Sequence, residues 1–362
     1  MHQLLPEVIK IFDRLQGTNH YEKNYKDEHM DTAWSSFVSL MEKVDKLAEN
    51  EKKRIVKKIP SYMREKVKDA FSTKKNNDRT LASYLGLICV GGNPKKFMNI
   101  LIAMDIHDLS VTLIDDIIDK EEKRANEAAH YLKWGINVTL TIAMFLKSLS
   151  SQILLNSKID IKIKLKILKE IEGLHSKIYK GQLLDIEYEN KEIDEISNRE
   201  YLNMVSLTTG SQYAGFLRIG GILGESNSDD INLLGKIGFL LGTLGQIRDD
   251  LVDYLSDYKE IWKTPLLDFK NKKRRLPLII GWRNANSNER KRIIELQENQ
   301  HFNDRDYIEI LRLIMKPDNI EEIKMIMANL KKEGFKLIED SNFTQEGKKT
   351  LKSYFSYGMS EI

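Results

Sequence analysis

The sequence predicts an all-α fold, and three observations support this prediction. No proline falls between Pro94 and Pro265, so a long part of the chain can form uninterrupted helices. Leucine, isoleucine, alanine, lysine and glutamate recur at helical spacing through that part. Apolar residues that alternate with a period of two, as in strands, are close to absent.

Polar or glycine-containing breakers separate the predicted helices of the first half. Helical patterning runs over about residues 31–47 and again over 50–71, with a break or kink at Pro60. The polar segment 72–78 leads into an apolar helix over 79–90, which ends at Gly91-Gly92-Asn93-Pro94, and one long helix then covers 96–121. Residues 1–70 are strongly charged, so we expect an N-terminal extension (1–70) followed by one larger domain (71–362).

Long helices are also predicted in the second half. An apolar helix covers 127–156, an amphipathic helix covers 159–189, and two further helices cover 198–223 and 232–254. The last of these contains four glycines, which would let a neighbouring helix or a ligand approach its backbone closely. Residues 257–275 read as a polar loop, and helices resume after Pro277.

Composition excludes several classes of function. Charged residues make up 31% of the chain but their signs are mixed and the net charge is +3, so bulk electrostatics do not indicate a nucleic-acid-binding protein. Cys89 is the only cysteine, which excludes an intrachain disulfide and favours a cytoplasmic protein. We find neither a signal peptide nor a stretch of 18 uncharged apolar residues, and therefore expect no membrane span.

Two acidic triplets with the same spacing are the strongest functional signal. Each places carboxylates at i, i+1 and i+4 in an apolar frame, so that on a helix the first and last lie one turn apart on one face. The residues are Asp115, Asp116 and Asp119 in the first triplet and Asp249, Asp250 and Asp253 in the second. Buried carboxylates need a neutralising cation, and Mg²⁺ binds oxygen ligands while sharing its shell with substrate phosphates.

With these motifs the chain resembles the trans-type isoprenyl diphosphate synthases of the polyprenyl synthetase family, over roughly residues 70–360. The two triplets match the two aspartate-rich motifs of that family, and Arg124 follows the first at the family's distance. Gly181-Gln182 with Asp185 matches a mid-chain motif. Lys263 and Lys273 match two lysines of the loop after the second motif.

The resemblance implies the isoprenoid synthase fold, a bundle of long antiparallel helices around a deep central cavity. Asp115, Asp119 and Asp249 would bind three Mg²⁺ ions, which hold the diphosphate of an allylic substrate. That substrate would ionise, and isopentenyl diphosphate would attack the resulting carbocation. The other catalytic residues would be Asp116, Arg124, Gln246, Asp250, Asp253 and Lys263, and the substrate contacts would include Lys75, Arg79, Gln182, Thr209 and Lys273. The family is usually homodimeric, so we expect a homodimer.

The sequence departs from the family mainly where isopentenyl diphosphate would bind. Arg79 fits the family's arginine, but Asn76 stands at the lysine position, with Lys75 beside it, and Asp108 stands at the histidine position. At the allylic diphosphate site, Ala125 replaces a second arginine. Each lost charged contact to a phosphate could cost about 1.5–3 kcal/mol.

Three functions therefore stay open. The first is chain elongation with isopentenyl diphosphate. The second is a class I terpene synthase that ionises an allylic diphosphate without isopentenyl diphosphate. The third is a catalytically silent regulatory subunit, which the survival of all six aspartates disfavours.

By the same resemblance, product length would depend on the side chains one helical turn before Asp115, where short-chain members of the family carry an aromatic residue. Ser110 and Val111 occupy those positions, and both are small. A deep cavity should follow, so we expect products of C20 or longer. His107 and Met104, further along the same face, are the next candidates for the cavity floor, and no histidine has metal-ligand spacing.

Overall fold

A computed structural model of the chain describes residues 30–73, 77–125, 127–255, 266–299 and 303–357, and the predicted all-α fold is confirmed. The only strands among these residues, Lys123–Arg124 (β1) and Glu127–Ala128 (β2), form a small antiparallel hairpin. The helices are α1 (Met30–Lys58), α2 (Ser61–Ser72), α3 (Asp78–Cys89), α4 (Met98–Ile118), α5 (His130–Trp134), α6 (Ile136–Leu155), α7 (Ile161–Glu189), α8 (Asn198–Val205), α9 (Ser211–Leu223), α10 (Ser228–Leu255), α11 (Leu267–Lys270), α12 (Leu276–Arg283), α13 (Ser287–Glu298), α14 (Asp304–Ile314), α15 (Pro317–Glu339) and α16 (Gln345–Tyr357).

Two of the predicted helices are interrupted. Gly135 has a positive φ of 80°, which glycine adopts without steric cost, and it divides the helix predicted over 127–156 into α5 and α6. Between α8 and α9 the chain forms a π-helical turn, Ser206–Gly210, in which Thr208 leaves helical geometry (φ −91°, ψ −105°). Such turns often occur at functional sites, and this one brings Thr209 to the cavity described below.

Close helix packing holds this turn in place. Helix α9 packs against α3 and α10, and the π-helical turn contacts α7 and α10. A Cβ atom at Gly242 would lie 2.4 Å from the carbonyl oxygen of Thr209, and one at Gly181 would lie 2.6 Å from Cγ2 of Thr208. Only glycine fits at these two contacts, so the glycine-rich character predicted for 232–254 serves helix packing at Gly242.

Helix α1, which belongs to the segment predicted to be an N-terminal extension, packs onto the rest of the described chain. Phe37 and Val44 of α1 are buried in the main hydrophobic core, which includes residues of α3, α4 and α16. Ala48 and Ile55 are buried in a second cluster, which also contains Leu109 of α4. Helix α1 therefore braces the helix that carries the first acidic triplet.

The sequence analysis predicted no membrane span, and helix α6 is more apolar than that prediction implied. Among the described residues it is the one helix long and apolar enough to cross a membrane, with 20 residues and a mean hydropathy of 1.5. Lys147 is the only lysine of α6, and the mean hydropathy of the helix is still high enough for a candidate membrane span. Only 33% of its apolar segment is buried in the monomer, so much of the helix presents apolar side chains at the surface.

Candidate active site

Residues of both acidic triplets line one cavity. The first lies at the end of α4, the second lies near the end of α10, and the cavity between them has a volume of ≈310 Å³. The predicted site residues that line it are Arg79, Val111, Asp115, Asp119, Arg124, Gln182, Thr209, Gln246, Asp249, Asp250 and Asp253. Residues far apart in the sequence thus meet at one concave surface.

Three predicted site residues that the structure describes do not line this cavity, and two more lie outside the described residues. Asp116 and Lys273 lie behind its wall, in ion pairs with neighbouring side chains. Ser110 is buried, and its hydroxyl donates to the carbonyl oxygen of His107 at 2.5 Å. Lys75 and Lys263 lie outside the described residues, so their predicted roles stay predictions.

Asp116 orients Arg124. The hairpin β1–β2 turns the chain back after α4, and Ala125 at its bend takes a positive φ of 56°, a region that side chains rarely adopt. The Arg124 guanidinium thereby reaches the buried Asp116 carboxylate, to which Nη2 and Nε both donate. Burial alone would lower the pKa of Arg124, but Asp116 outweighs it and the pKa is raised. Arg124 therefore keeps its positive charge at the cavity.

Lys273 is enclosed by three carboxylates. Its side chain is 0% exposed, and Nζ lies 2.7 Å from Asp119 Oδ1, 2.7 Å from Asp185 Oδ2 and 2.8 Å from Glu189 Oε1. The Lys273 ammonium ties the first triplet to α7, which carries Asp185 and Glu189.

Arg275 is a site residue that the sequence interpretation missed. It lines the cavity, and its guanidinium contacts Asp185 at 2.6 Å and Asp268 at 2.8 Å. Burial would raise the pKa of Asp185, but Arg275 and Lys273 together hold it below its usual range. The signal available beforehand was the basic run around Lys273, which indicated positive charge but not which side chain would face inwards.

Asp250 anchors the second triplet to the helices behind it. Its carboxylate accepts hydrogen bonds from Tyr201 Oη at 2.6 Å and from Gln246 Nε2 at 2.8 Å. Gln246 in turn accepts one from Thr209 Oγ1 at 2.6 Å, so the π-helical turn joins this network. Burial raises the pKa of Asp250 to about 7. Asp249, by contrast, has a side chain that is 53% exposed and open to a ligand.

The donor set suits Mg²⁺. Asp115, Asp119 and Asp249 offer carboxylate oxygens, the ligand type that Mg²⁺ prefers. Burial, with the neighbouring Asp119, raises the pKa of Asp115 to about 8, and burial also raises the pKa of Asp119. Burial thus disfavours the charged form of both carboxylates, and a bound cation would offset this effect. Among the described residues, no group of three acidic, histidine or cysteine side chains is placed to hold a metal ion by itself, so bound Mg²⁺ would need substrate phosphates and water to complete its shell.

Gln182 carries an unused donor at the cavity. Its side chain lies on α7, and Nε2 is buried without a hydrogen-bond partner among the residues that the structure describes. Buried polar groups are usually satisfied, so an exception at a cavity indicates a ligand contact. This observation supports the predicted substrate contact at Gln182.

Two histidines lie beneath the cavity. His107 is one helical turn before Val111 on α4, and His175 is one turn before Ile178 on α7; Val111 and Ile178 both line the cavity. The two imidazole rings are buried, their centroids are 4.2 Å apart, and their Nε2 atoms share a hydrogen bond. Burial lowers the pKa of His175, which favours a neutral ring. The pair spans the gap between α4 and α7.

Comparisons with known proteins agree with this geometry. The sequence model of the polyprenyl synthetase family matches residues 67–314. A short chain isoprenyl diphosphate synthase of Methanothermobacter thermautotrophicus is 27% identical over 208 residues, which are 57% of this chain and 63% of that relative. The chain thus spans less than two thirds of the length of this curated relative.

Solved structures share the fold. Geranylgeranyl pyrophosphate synthetase from Pyrococcus horikoshii superimposes with a TM-score of 0.80 at 22% identity, covering 90% of this chain and 98% of that one. Geranylgeranyl pyrophosphate synthase from Corynebacterium glutamicum, crystallised with isoprenyl diphosphate and magnesium, gives a TM-score of 0.77 at 16% identity, covering 89% and 99%. The predicted isoprenoid synthase fold is confirmed.

Proposed function

The chain belongs to the polyprenyl synthetase family, and from this premise we propose that it is a Mg²⁺-dependent isoprenyl diphosphate synthase. It would join an allylic diphosphate to isopentenyl diphosphate. The observation that carries the proposal is one cavity lined by Asp115 and Asp119 of the first triplet and by all three aspartates of the second. The cationic Arg124 and the unused donor of Gln182 lie beside them.

The proposed reaction begins with ionisation of the allylic substrate. The bond between C1 of the allylic substrate and its diphosphate oxygen would break, and the diphosphate would leave with the bonding electrons. The double bond of isopentenyl diphosphate would then attack C1, and transfer of one proton to the departed diphosphate would give the longer diphosphate. Arg124 and Gln182 would bind the leaving diphosphate, and stabilising that developing charge lowers the barrier. No side-chain nucleophile is required.

The proposal includes three Mg²⁺ ions, held by Asp115, Asp119 and Asp249. When bound, Mg²⁺ would stabilise the charge of the departing diphosphate. The magnesium in the Corynebacterium structure and the donor set described above support metal use. Metal analysis of protein equilibrated with Mg²⁺ and inorganic pyrophosphate would measure the number of bound ions. A count below three would contradict the proposed number.

A product assay tests the function. Purified protein would receive geranyl, farnesyl or geranylgeranyl diphosphate with Mg²⁺, each with and without isopentenyl diphosphate. Longer diphosphates that form only when isopentenyl diphosphate is present would support the proposal. Hydrocarbons or alcohols formed from the allylic diphosphate alone would instead support a terpene synthase. No turnover by folded protein would favour a silent subunit.

We propose products of C20 or longer, with the buried pair His107 and His175 as the floor of the cavity. Val111 is the only predicted length-determining residue that lines the cavity, and its side chain is small. The geranylgeranyl synthases among the structural neighbours also support this length.

Replacing His107 and His175 together with alanine should lengthen the product by one or more C5 units, because the rings close the space between α4 and α7. Products would be dephosphorylated and compared with prenyl alcohol standards by chromatography. Val111→Phe should act in the opposite direction and shorten the product, since it fills the cavity above the rings. Unchanged length in a folded, active double variant would overturn the floor assignment.

We propose a cytoplasmic homodimer that uses the exposed face of α6 and α7. Single exposed apolar residues are ordinary, but this face presents many on two adjoining helices, which is typical of an interface. They are Ile136, Val138, Met144, Leu155, Ile161, Leu165, Tyr179 and Leu183. A second copy would cover the same side chains that make α6 resemble a membrane span. Sedimentation would measure the oligomer, and Met144→Glu with Leu165→Glu should give a monomer if this face is the interface.

A further inference from the structure

We propose that Asp108 is a specificity-determining residue that weakens the binding of isopentenyl diphosphate by neutralising Arg79. The proposal rests on the proposed function, because Arg79 is the arginine expected to hold the second substrate. It concerns a carboxylate to which the elongation reaction assigns no role.

The contact between the two side chains is close and shielded. Arg79 Nε donates to Asp108 Oδ1 at 3.0 Å, and both side chains line the cavity. Their side chains are only 15% and 9% exposed, so water and salt screen the ion pair weakly. Arg79 Nη2 also donates to Gln212 Oε1 at 2.8 Å, and the guanidinium lies 4.6 Å from the Tyr213 ring.

The backbone holds this pair in register. Asp105, one turn before Asp108 on α4, accepts hydrogen bonds from the backbone N–H groups of Arg79 at 3.2 Å and Thr80 at 2.8 Å. The start of α3 is therefore pinned to α4, and the Arg79 side chain emerges opposite Asp108. Two carboxylates one turn apart thus hold Arg79, one by its backbone and the other by its charge.

A diphosphate that binds Arg79 must share the guanidinium with an existing anion. Arginine has five N–H donors, so Arg79 can still donate to a phosphate while it keeps Asp108 and Gln212 as partners. The net charge that attracts the phosphate is nevertheless cancelled, and placing like charges side by side opposes binding. We therefore expect the site at Arg79 to bind the diphosphate of isopentenyl diphosphate less tightly than it would if Arg79 had no anionic partner.

Weak binding of the second substrate has a consequence for the product. Each elongation cycle competes with release of the growing chain, and the cycle needs a new isopentenyl diphosphate. When isopentenyl diphosphate is scarce, the growing chain should be released after fewer elongation cycles. Mean product length should then rise with the concentration of isopentenyl diphosphate, and Asp108 would set the concentration at which it rises.

A charge series at Arg79 tests the proposal. Asp108→Asn removes the negative charge at nearly constant shape, whereas Gln212→Glu adds a second one at the other contact of the same guanidinium. Calorimetry would measure the dissociation constant for isopentenyl diphosphate with Mg²⁺ and a thiolo-diphosphate analogue of the allylic substrate that does not ionise. Steady-state assays would measure KM for both substrates, and circular dichroism would verify folding.

We expect Asp108→Asn to tighten isopentenyl diphosphate binding about tenfold or more and Gln212→Glu to weaken it by a similar factor, with KM for the allylic substrate nearly constant. An unchanged or weaker affinity in folded Asp108→Asn protein would overturn the proposal. If the wild type elongates and the affinity does not respond, only this inference fails. If no protein elongates and Asp108→Asn still binds tighter, the proposed function fails, while the effect of Asp108 on diphosphate binding at Arg79 is still supported.

Discussion

Asp115→Asn should lower kcat/KM for prenyl transfer by about 10³-fold, since one Mg²⁺ ligand and its charge are lost where negative charge develops. Asp115 lines the cavity at the end of α4, and its raised pKa reflects an environment that needs a cation. Rates would be measured from radiolabelled isopentenyl diphosphate over a range of Mg²⁺ concentrations. The variant should also need more Mg²⁺ to reach half of its own maximal rate.

Glu122→Gln is the matched control for this variant. Glu122 follows the first triplet closely, but its side chain is exposed and does not line the cavity. The change removes one negative charge from the same region and should leave kcat/KM within about twofold, because exposed charges are well screened. If both variants lost activity equally, general electrostatics rather than metal binding would explain the role of Asp115.

Lys273→Met should lower the free energy of unfolding of the metal-free protein by about 3–5 kcal/mol, because it leaves buried carboxylates without their cation. The wild-type ammonium lies within 2.8 Å of an oxygen atom of each of Asp119, Asp185 and Glu189. Urea denaturation followed by circular dichroism would give the difference. Mg²⁺ should restore part of the lost stability in the variant, since it can neutralise Asp119.

Lys272→Met separates this effect from the loss of any lysine in the loop. Lys272 is the neighbouring residue, is exposed, and has a positive φ of 59° that methionine would share at similar cost. Its replacement should change the free energy of unfolding by less than about 0.5 kcal/mol. Equal losses in the two variants would mean that the three-carboxylate contact of Lys273 does not stabilise the fold.

Local patterns in the sequence were enough to predict the helices and the two triplets. The proline-free stretch and the helical spacing of apolar residues are local signals, and so is the repeated acidic motif. The break at Gly135 was missed because one glycine inside an apolar pattern is compatible with a continuous helix. The π-helical turn at Thr208 depends on packing against Gly181 and Gly242, which the local sequence does not show.

The sequence alone did not predict which side chains contact each other across the fold. The family resemblance implied that Lys273 contacts the substrate, and only the folded chain brings it against Asp119 and Asp185. Likewise, His107 and His175 carry no shared motif and meet because α4 and α7 flank one cavity. Chain-distant pairs of this kind follow from helix packing and leave no periodic trace in a single sequence.

Because the pKa of Asp115 is raised, the metal-free protein should hold a proton on this carboxyl that a bound metal ion would displace. At pH 7 the Asp115 carboxyl, with a pKa of about 8 against an ordinary value of 3.8, should be largely protonated in the metal-free fold but not in the unfolded chain. Metal-free stability should therefore fall as pH rises from about 4 to 8. Mg²⁺ binds the carboxylate, so its uptake near pH 7 should release protons. Mg²⁺ titrations in PIPES and in Tris, which differ in ionisation enthalpy and bind Mg²⁺ weakly, should give different apparent binding enthalpies. Equal enthalpies would show that Asp115 is already charged.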